Sequence, residues 1–203
     1  MDQPLLLVLM TAAALYVGQL WRGDVRAARA GSPNPRAFPG ATSAPSRAVW
    51  IAVAGALAIL VAETVGETML GLAAQQSRMT WLFALYSIAG APIIEELVFR
   101  GWLVIEHRGR GARWAGAVGA SVLFAALHPF LWRWDDAGFA FTFGTKGWFS
   151  TAAVFATSLW LYAARLAPWN PQRSLLPCFA AHAAKNLGVV AVKATAGFLV
   201  GWW

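Results

Sequence analysis

The chain is 203 residues long, 59% of them hydrophobic and only 12% charged, a composition that excludes an ordinary soluble domain and is typical of a polytopic membrane protein. Its net charge of +7 does not mark a nucleic-acid surface, because the basic residues sit between apolar segments instead of forming one face. The single cysteine, Cys178, excludes an intrachain disulfide and gives neither a zinc-finger nor a CxxC spacing.

Six apolar stretches of about spanning length follow one another: Pro4–Trp21, Ala48–Leu72, Thr80–Ile105, Trp114–Phe130, Gly147–Leu166 and Leu175–Trp203. The expected fold is therefore an all-α polytopic transmembrane helix bundle of about six helices, forming a single integral membrane domain over residues 1–203. The first stretch begins with Asp2 instead of basic residues, and no small-residue cleavage pattern precedes the arginines after it, so it is expected to remain as a membrane helix. Residues 22–47 are rich in Gly, Ser and Pro and read as a flexible linker. Eleven of the twelve tryptophans lie at or near segment ends, where indole rings favour the headgroup level, and only Trp160 is interior.

The loops give the orientation. Arg22, Arg26, Arg29, Arg36 and Arg47 lie in the linker, Arg108, Arg110 and Arg113 in the third connection, and Arg165 and Arg173 at the fifth. With six helices these connections share one side, which the positive-inside rule makes cytoplasmic. The linker is then cytoplasmic and both termini external. Thirteen arginines against three lysines, with abundant alanine, point to a GC-rich bacterial genome and so to a bacterial inner membrane.

Ionisable residues inside such segments cost about 2.5–3.5 kcal/mol each on insertion scales and mark function. The third segment carries Glu95, Glu96 and Arg100 within six residues. Glu96 and Arg100, four apart, stack on one helical face and should pair, whereas Glu95 points about 100° away and has no partner in sequence. A carboxylate in a low-dielectric site suits general acid–base work. Pro92, one turn earlier, frees a backbone carbonyl and favours a kink. On the fourth segment Phe124 and His128 share a face, and on the sixth Cys178, His182 and Asn186 recur every four residues as a polar stripe. Cys178 alone reads as a small buried hydrophobe and Lys185 as a snorkelling cation near its helix end. Glu63 and Glu67 on the second segment and Lys193 on the sixth read as a structural cluster, with Glu67 paired to Lys193. Two histidines, two glutamates, an arginine and an asparagine on three helices are the parts needed to activate a water and stabilise an oxyanion.

Three motifs then carry a resemblance. "EELVFR" matches EExxxR, "FAALH" matches FxxxH and "HAAKN" matches HxxxN, in order over residues 95–186. In these the chain resembles the CPBP (Abi) family of glutamate-type intramembrane proteases, which includes the type II CAAX prenyl endopeptidases. The resemblance implies that Glu95, with His128, holds and deprotonates the attacking water. It implies that His182 and Asn186 stabilise the oxyanion, that Glu96 and Arg100 brace the third helix, and that no cofactor or metal is needed. The implied partners are the lipid bilayer and a protein or peptide substrate with a lipidated or membrane-anchored C-terminus, and no nucleic acid. The implied reaction is hydrolysis of a peptide bond near that end. Two rivals stand beside it: a zinc protease using Glu95, His128 and His182, and a non-enzymatic membrane scaffold or bacteriocin immunity protein.

Overall fold

Long runs of Ala, Leu and Val with few interior breakers form the helices, and their polarity is inverted relative to a soluble protein. In this computed structural model, which describes residues 3–106 and 108–203, Leu5, Leu9, Tyr16, Trp50, Val61 and Met69 face outward while Glu96, Arg100, Ser121, Ser158, Lys185 and Lys193 are buried. That is the arrangement expected when the surroundings are apolar and every internal polar group needs a protein partner. Asp2, used above for the start of the first segment, lies outside the described residues.

The chain forms α1 (Pro4–Arg29), α2 (Ser46–Met69), α3 (Trp81–Ala89), α4 (Ala91–Glu96), α5 (Gly109–Leu127), β1 (Trp132–Asp135), β2 (Gly138–Phe141), α6 (Thr145–Leu166) and α7 (Leu176–Thr195). The all-α membrane-type bundle stands, with one small hairpin added. Three helical stretches, Pro4–Arg29, Ser46–Met69 and Trp81–Trp102, are long and apolar enough to cross a membrane. The other three long helices, α5, α6 and α7, carry much of the buried polar machinery in 19, 22 and 20 residues.

Helix α2 sits at the centre of the packing, against α6 and α7. Its buried Ala48, Ala52, Ala56 and Leu60 recur every four residues, the spacing of one helical face. Small residues there let helices approach closely, which replaces the hydrophobic driving force that lipid removes. A Cβ on Gly55 would fall 2.1 Å from the Trp160 ring. The same indole donates its Nε1–H to Ala52 O at 2.8 Å, so the interior Trp160 locks α6 onto α2.

Several expectations need correction. Helix α1 continues eight residues past Trp21, through "RGDVRAAR", where arginine and alanine carry the helix past Gly23 and Asp24, which makes Trp21 a buried residue mid-helix. The rest of the linker is held, not free. Asp24 accepts from Asn34 Nδ2 and Phe38 N, and Trp21 Nε1 donates to Pro39 O. Ser174 Oγ donates to Thr42 O. Gly40, at φ +61°, passes so close to Arg165 and Leu175 that no side chain fits. The last helix stops at Thr195, where Gly197 at φ +77° turns the tail back to exchange backbone bonds with Met79. Helix α5, in the fourth apolar segment, stops at Leu127 and does not reach Phe130, because His128 precedes Pro129 and is driven to extended backbone.

The third segment departs most from a simple span. Gly90 and Pro92 divide it, and beyond Glu96 the residues Leu97–Trp102 widen into a π-helical turn in which Leu103 N donates to Val98 O, five residues back.

The second charged cluster is also wired differently. Glu67 accepts from Lys146 and Gln76, Glu63 accepts from Lys185 at 2.8 Å, and Lys193 donates to Ser77 O at 2.6 Å. The expected Glu67–Lys193 pair does not form. Lys146, at the start of α6, reaches Glu67 because α6 runs antiparallel to α2. Lys185 does not snorkel to an interface but is buried in its pair.

Candidate active site

The kinked α3–α4 junction and the π-helical turn aim successive side chains of the EExxxR stretch at different neighbours. Glu96 and Arg100 form the ion pair anticipated from their spacing, Arg100 Nη1 to Glu96 Oε1 at 3.1 Å, both fully buried. Arg100 also donates through Nη2 to Ser158 Oγ at 2.6 Å and to Ser158 O, and Ser158 Oγ donates to Ser121 Oγ. Its guanidinium lies over the Phe124 and Tyr162 rings, 4.6 and 5.0 Å from their centroids. One arginine thus ties the π-helical turn to α5 and α6.

Glu96 has a second partner that spacing alone does not reveal. His182 Nδ1 lies 2.7 Å from the same Oε1, so the ring donates its Nδ1–H there, a carboxylate being able only to accept. The other side of the ring faces Glu95, with Nε2 3.8 Å from Oε2. His182 therefore stands between the two glutamates. At 3.8 Å the Glu95 contact is too long for a direct hydrogen bond.

His128, though outside the helix, folds back so that Nδ1 donates to Phe124 O at 2.8 Å. That bond fixes the tautomer and leaves Nε2 as the acceptor. The ring packs on Phe124 with centroids 4.8 Å apart and stacks on Phe130 at 5.9 Å. Phe124 thus packs against the histidine that shares its face, and also edges His182 and covers Arg100.

Glu95 and His128 meet at a cavity of about 560 Å³ lined by Leu6, Leu7 and Met10 of α1, Phe83 and Tyr86 of α3, and Phe99, Phe124, Leu127 and Pro129. The walls are apolar and the carboxylate is the charged group on them, the usual build of a small-ligand pocket. Glu95, with 29% of its side chain accessible, is the glutamate that faces this space, whereas Glu96 is sealed behind it.

Asn186 is not among the residues lining the cavity. Its Nδ2 donates to Ser87 O at 2.7 Å, which fastens α7 to α3 and leaves one amide proton uncommitted. Cys178 is fully buried, its thiol donating to Leu161 O. The α1 wall, Tyr86 and Tyr162 were missed in sequence. Nothing marks the leucines of α1 among other apolar residues, but a lone tyrosine inside an apolar helix signals a hydroxyl that needs a partner.

The arrangement offers a carboxylate at an apolar cavity, a histidine acceptor across it, and a second histidine held by a sealed glutamate–arginine pair. These are parts for moving a proton to and from a water at a peptide carbonyl. No curated protein and no solved structure matches the chain at a significant level. The family model described as "Type II CAAX prenyl endopeptidase Rce1-like" matches residues 77–188, from the strand-like turn before α3 to most of α7, and so every residue of the three motifs. With more than half its length matched, the chain belongs to the Rce1-like family of type II CAAX prenyl endopeptidases, proteases of the membrane.

Proposed function

We propose that this protein is an intramembrane endopeptidase that hydrolyses a peptide bond near the lipidated or membrane-anchored C-terminus of a protein substrate. The observation that carries the reading is the division of labour between adjacent glutamates: Glu95 opens on the cavity, and Glu96 is buried in hydrogen bonds from Arg100 and His182. In this mechanism Glu95 takes a proton from water in the cavity, and His128, through its free Nε2, holds the same water from the other side. The hydroxide attacks the carbonyl carbon, and the proton passes to the departing amine, so the peptide yields an acid and an amine with one water consumed. His182 lies on the opposite flank of Glu95. Its Nε2 serves as an oxyanion donor when the ring carries both protons, with the uncommitted amide proton of Asn186 as a second donor. The apolar walls fit an apolar C-terminal segment or a lipid chain.

One feature supports this reading over zinc catalysis. Asn186, on the same stripe, is a hydrogen-bonding residue and a poor zinc ligand.

The test uses purified protein and a reporter peptide carrying a membrane-anchored C-terminus. Glu95→Gln should abolish cleavage with the melting temperature unchanged, and His128→Ala should abolish it with the helical fold retained. A Glu95→Gln protein that still turns over, beside an inactive but fully stable Glu96→Gln protein, would reverse the assignment of the two glutamates. Full function in Glu95→Ala would favour the scaffold reading. Stoichiometric zinc that is lost in His182→Ala, with chelator inhibition reversed by added zinc, would replace the glutamate mechanism by a metalloprotease.

A further inference from the structure

The connection between α5 and α6 is an amphipathic β-hairpin. Trp132 pairs with Phe141 and Trp134 with Phe139, so all four aromatic side chains point to one face, since side chains alternate along a strand. Arg133 and Asp135, ion-paired at 3.1 Å, occupy the other. The turn is Asp136–Ala137, closed by Gly138 at φ +100°. Rings continue beyond the strands: Phe139 to Phe141 at 5.0 Å, Phe141 to Phe143 at 5.2 Å and Phe143 to Trp148 at 5.9 Å between centroids. The strip is open to its surroundings, with Trp134 77% and Phe141 65% exposed. An isolated two-stranded hairpin is marginal in water, and a bare aromatic strip there has nothing to offset its exposure.

What covers it follows from its place in the bundle. Lys146 at the start of α6 bonds Glu67 near the end of α2, Gln76 bonds the same glutamate, and Lys193 near the end of α7 bonds Ser77. The hairpin, the α2–α3 turn and the C-terminal tail therefore lie at one end of the molecule. At that end Trp81, Trp202 and Trp203 are also exposed, and Trp81 packs on Trp202. The aromatic strip continues a tryptophan belt of the kind that sits at the headgroup level of a bilayer. The hairpin carries two acids against one base, which gives no pull toward anionic lipid.

We propose that the hairpin is an interfacial anchor: its aromatic face lies in the headgroup region of one leaflet, held there by apolar and aromatic contact with no requirement for anionic lipid. Trp132 Nε1 donates to Ala126 O at 2.8 Å, and His128 follows two residues later, so the anchor also fixes the depth of the His128 side of the cavity. The anchoring does not depend on the peptidase reading, and its test needs no activity assay.

Nitroxide labels are placed singly at Phe141→Cys, on the aromatic face, and at Ala140→Cys, on the polar face, in a Cys178→Ala background. The proteins are reconstituted in phosphatidylcholine nanodiscs with and without phosphatidylglycerol. Collision with oxygen should dominate at position 141 and collision with a water-soluble nickel complex at position 140, equally in both lipids. Oxidative footprinting of the unaltered protein in the same nanodiscs gives a reading free of substitution, with Trp134 and Phe141 protected. Nickel access at position 141, oxidation of Trp134 at the rate of a free indole, dependence on the anionic lipid, or dipolar broadening from a second copy would each overturn the anchor.

Discussion

Glu96 shows how far a single buried oxygen can organise a site. Its Oε1 accepts from both Arg100 and His182, while Oε2 is buried with no partner among the described residues. Replacing it by glutamine removes the charge that balances a fully buried guanidinium. Breaking one half of a buried pair costs about 3–5 kcal/mol because the remaining charge is left uncompensated. Glu96→Gln should therefore lower the melting temperature in detergent markedly, and turnover along with it, whereas Glu95→Gln removes turnover alone. Asn186 tests a different bond. An oxyanion donor is worth about a hundred- to a thousandfold in turnover with substrate binding little changed, whereas loss of the Ser87 tie would act on stability. Asn186→Ala, measured for kcat, KM and melting together, should lose turnover on that scale. A melting shift with kcat retained would assign the side chain to the α3–α7 joint alone. The motif spacing made the Glu96–Arg100 pair legible, because residues four apart on a helix meet. The His182 contact was not, since it joins residues 86 apart through packing.

The elements were legible where apolar composition decides them and obscure where a single local break does. The apolar runs anticipated the long helices to within a turn or so at most ends. The π-helical turn at Leu97–Trp102 had no such signal, because it depends on a partner elsewhere. Tyr162, fully buried on α6, places its hydroxyl 2.5 Å from Phe99 O and 3.2 Å from Leu103 O, the carbonyls at this turn. Loss of that hydroxyl leaves buried acceptors unsatisfied, at about 1–3 kcal/mol, and frees the turn that aims Glu95, Glu96 and Arg100. Tyr162 is thus a positioning residue. Tyr162→Phe should lower kcat with KM little changed and leave helix content intact. An unaltered kcat beside a lowered melting temperature would reduce it to packing. Helix α1 lies outside the matched residues 77–188 yet supplies Leu6, Leu7 and Met10 to the cavity wall. Met10→Trp should narrow the cavity and raise KM for substrates with bulky C-terminal residues more than for small ones. Equal KM changes for both would remove α1 from substrate selection.

At the scale of the whole molecule, the two described chain ends meet at the same end of the bundle. Gln3 shares the cavity rim with Leu127 and Pro129 of the α5 end, and the tail pairs through Leu199 with Met79 beside α3. An even number of crossings would bring the ends together in this way; among the described residues three helical stretches are long and apolar enough to cross a membrane. Helices α5, α6 and α7 carry buried polar groups of their own, among them Ser121, Ser158, Arg165, His182 and Lys185, and each polar group that function or packing demands lowers a segment's resemblance to a lipid-facing helix. Charge bears on the side of the membrane. Ten of the sixteen basic residues lie in the connections or the adjoining helix ends opposite the described termini, a region that includes the linker that Asp24, Gly40 and Thr42 hold against the bundle. On the positive-inside rule we propose that this end is cytoplasmic and both chain ends external. An alkaline phosphatase fusion after Trp203 should therefore be active, and a fluorescent protein inserted in the linker at Ser32 should be bright. A dark linker insertion with an inactive C-terminal fusion would invert the molecule. An inactive fusion with a bright linker would place an odd number of crossings in the chain, with the tail segment after Thr195 on the wrong side for its pairing with Met79.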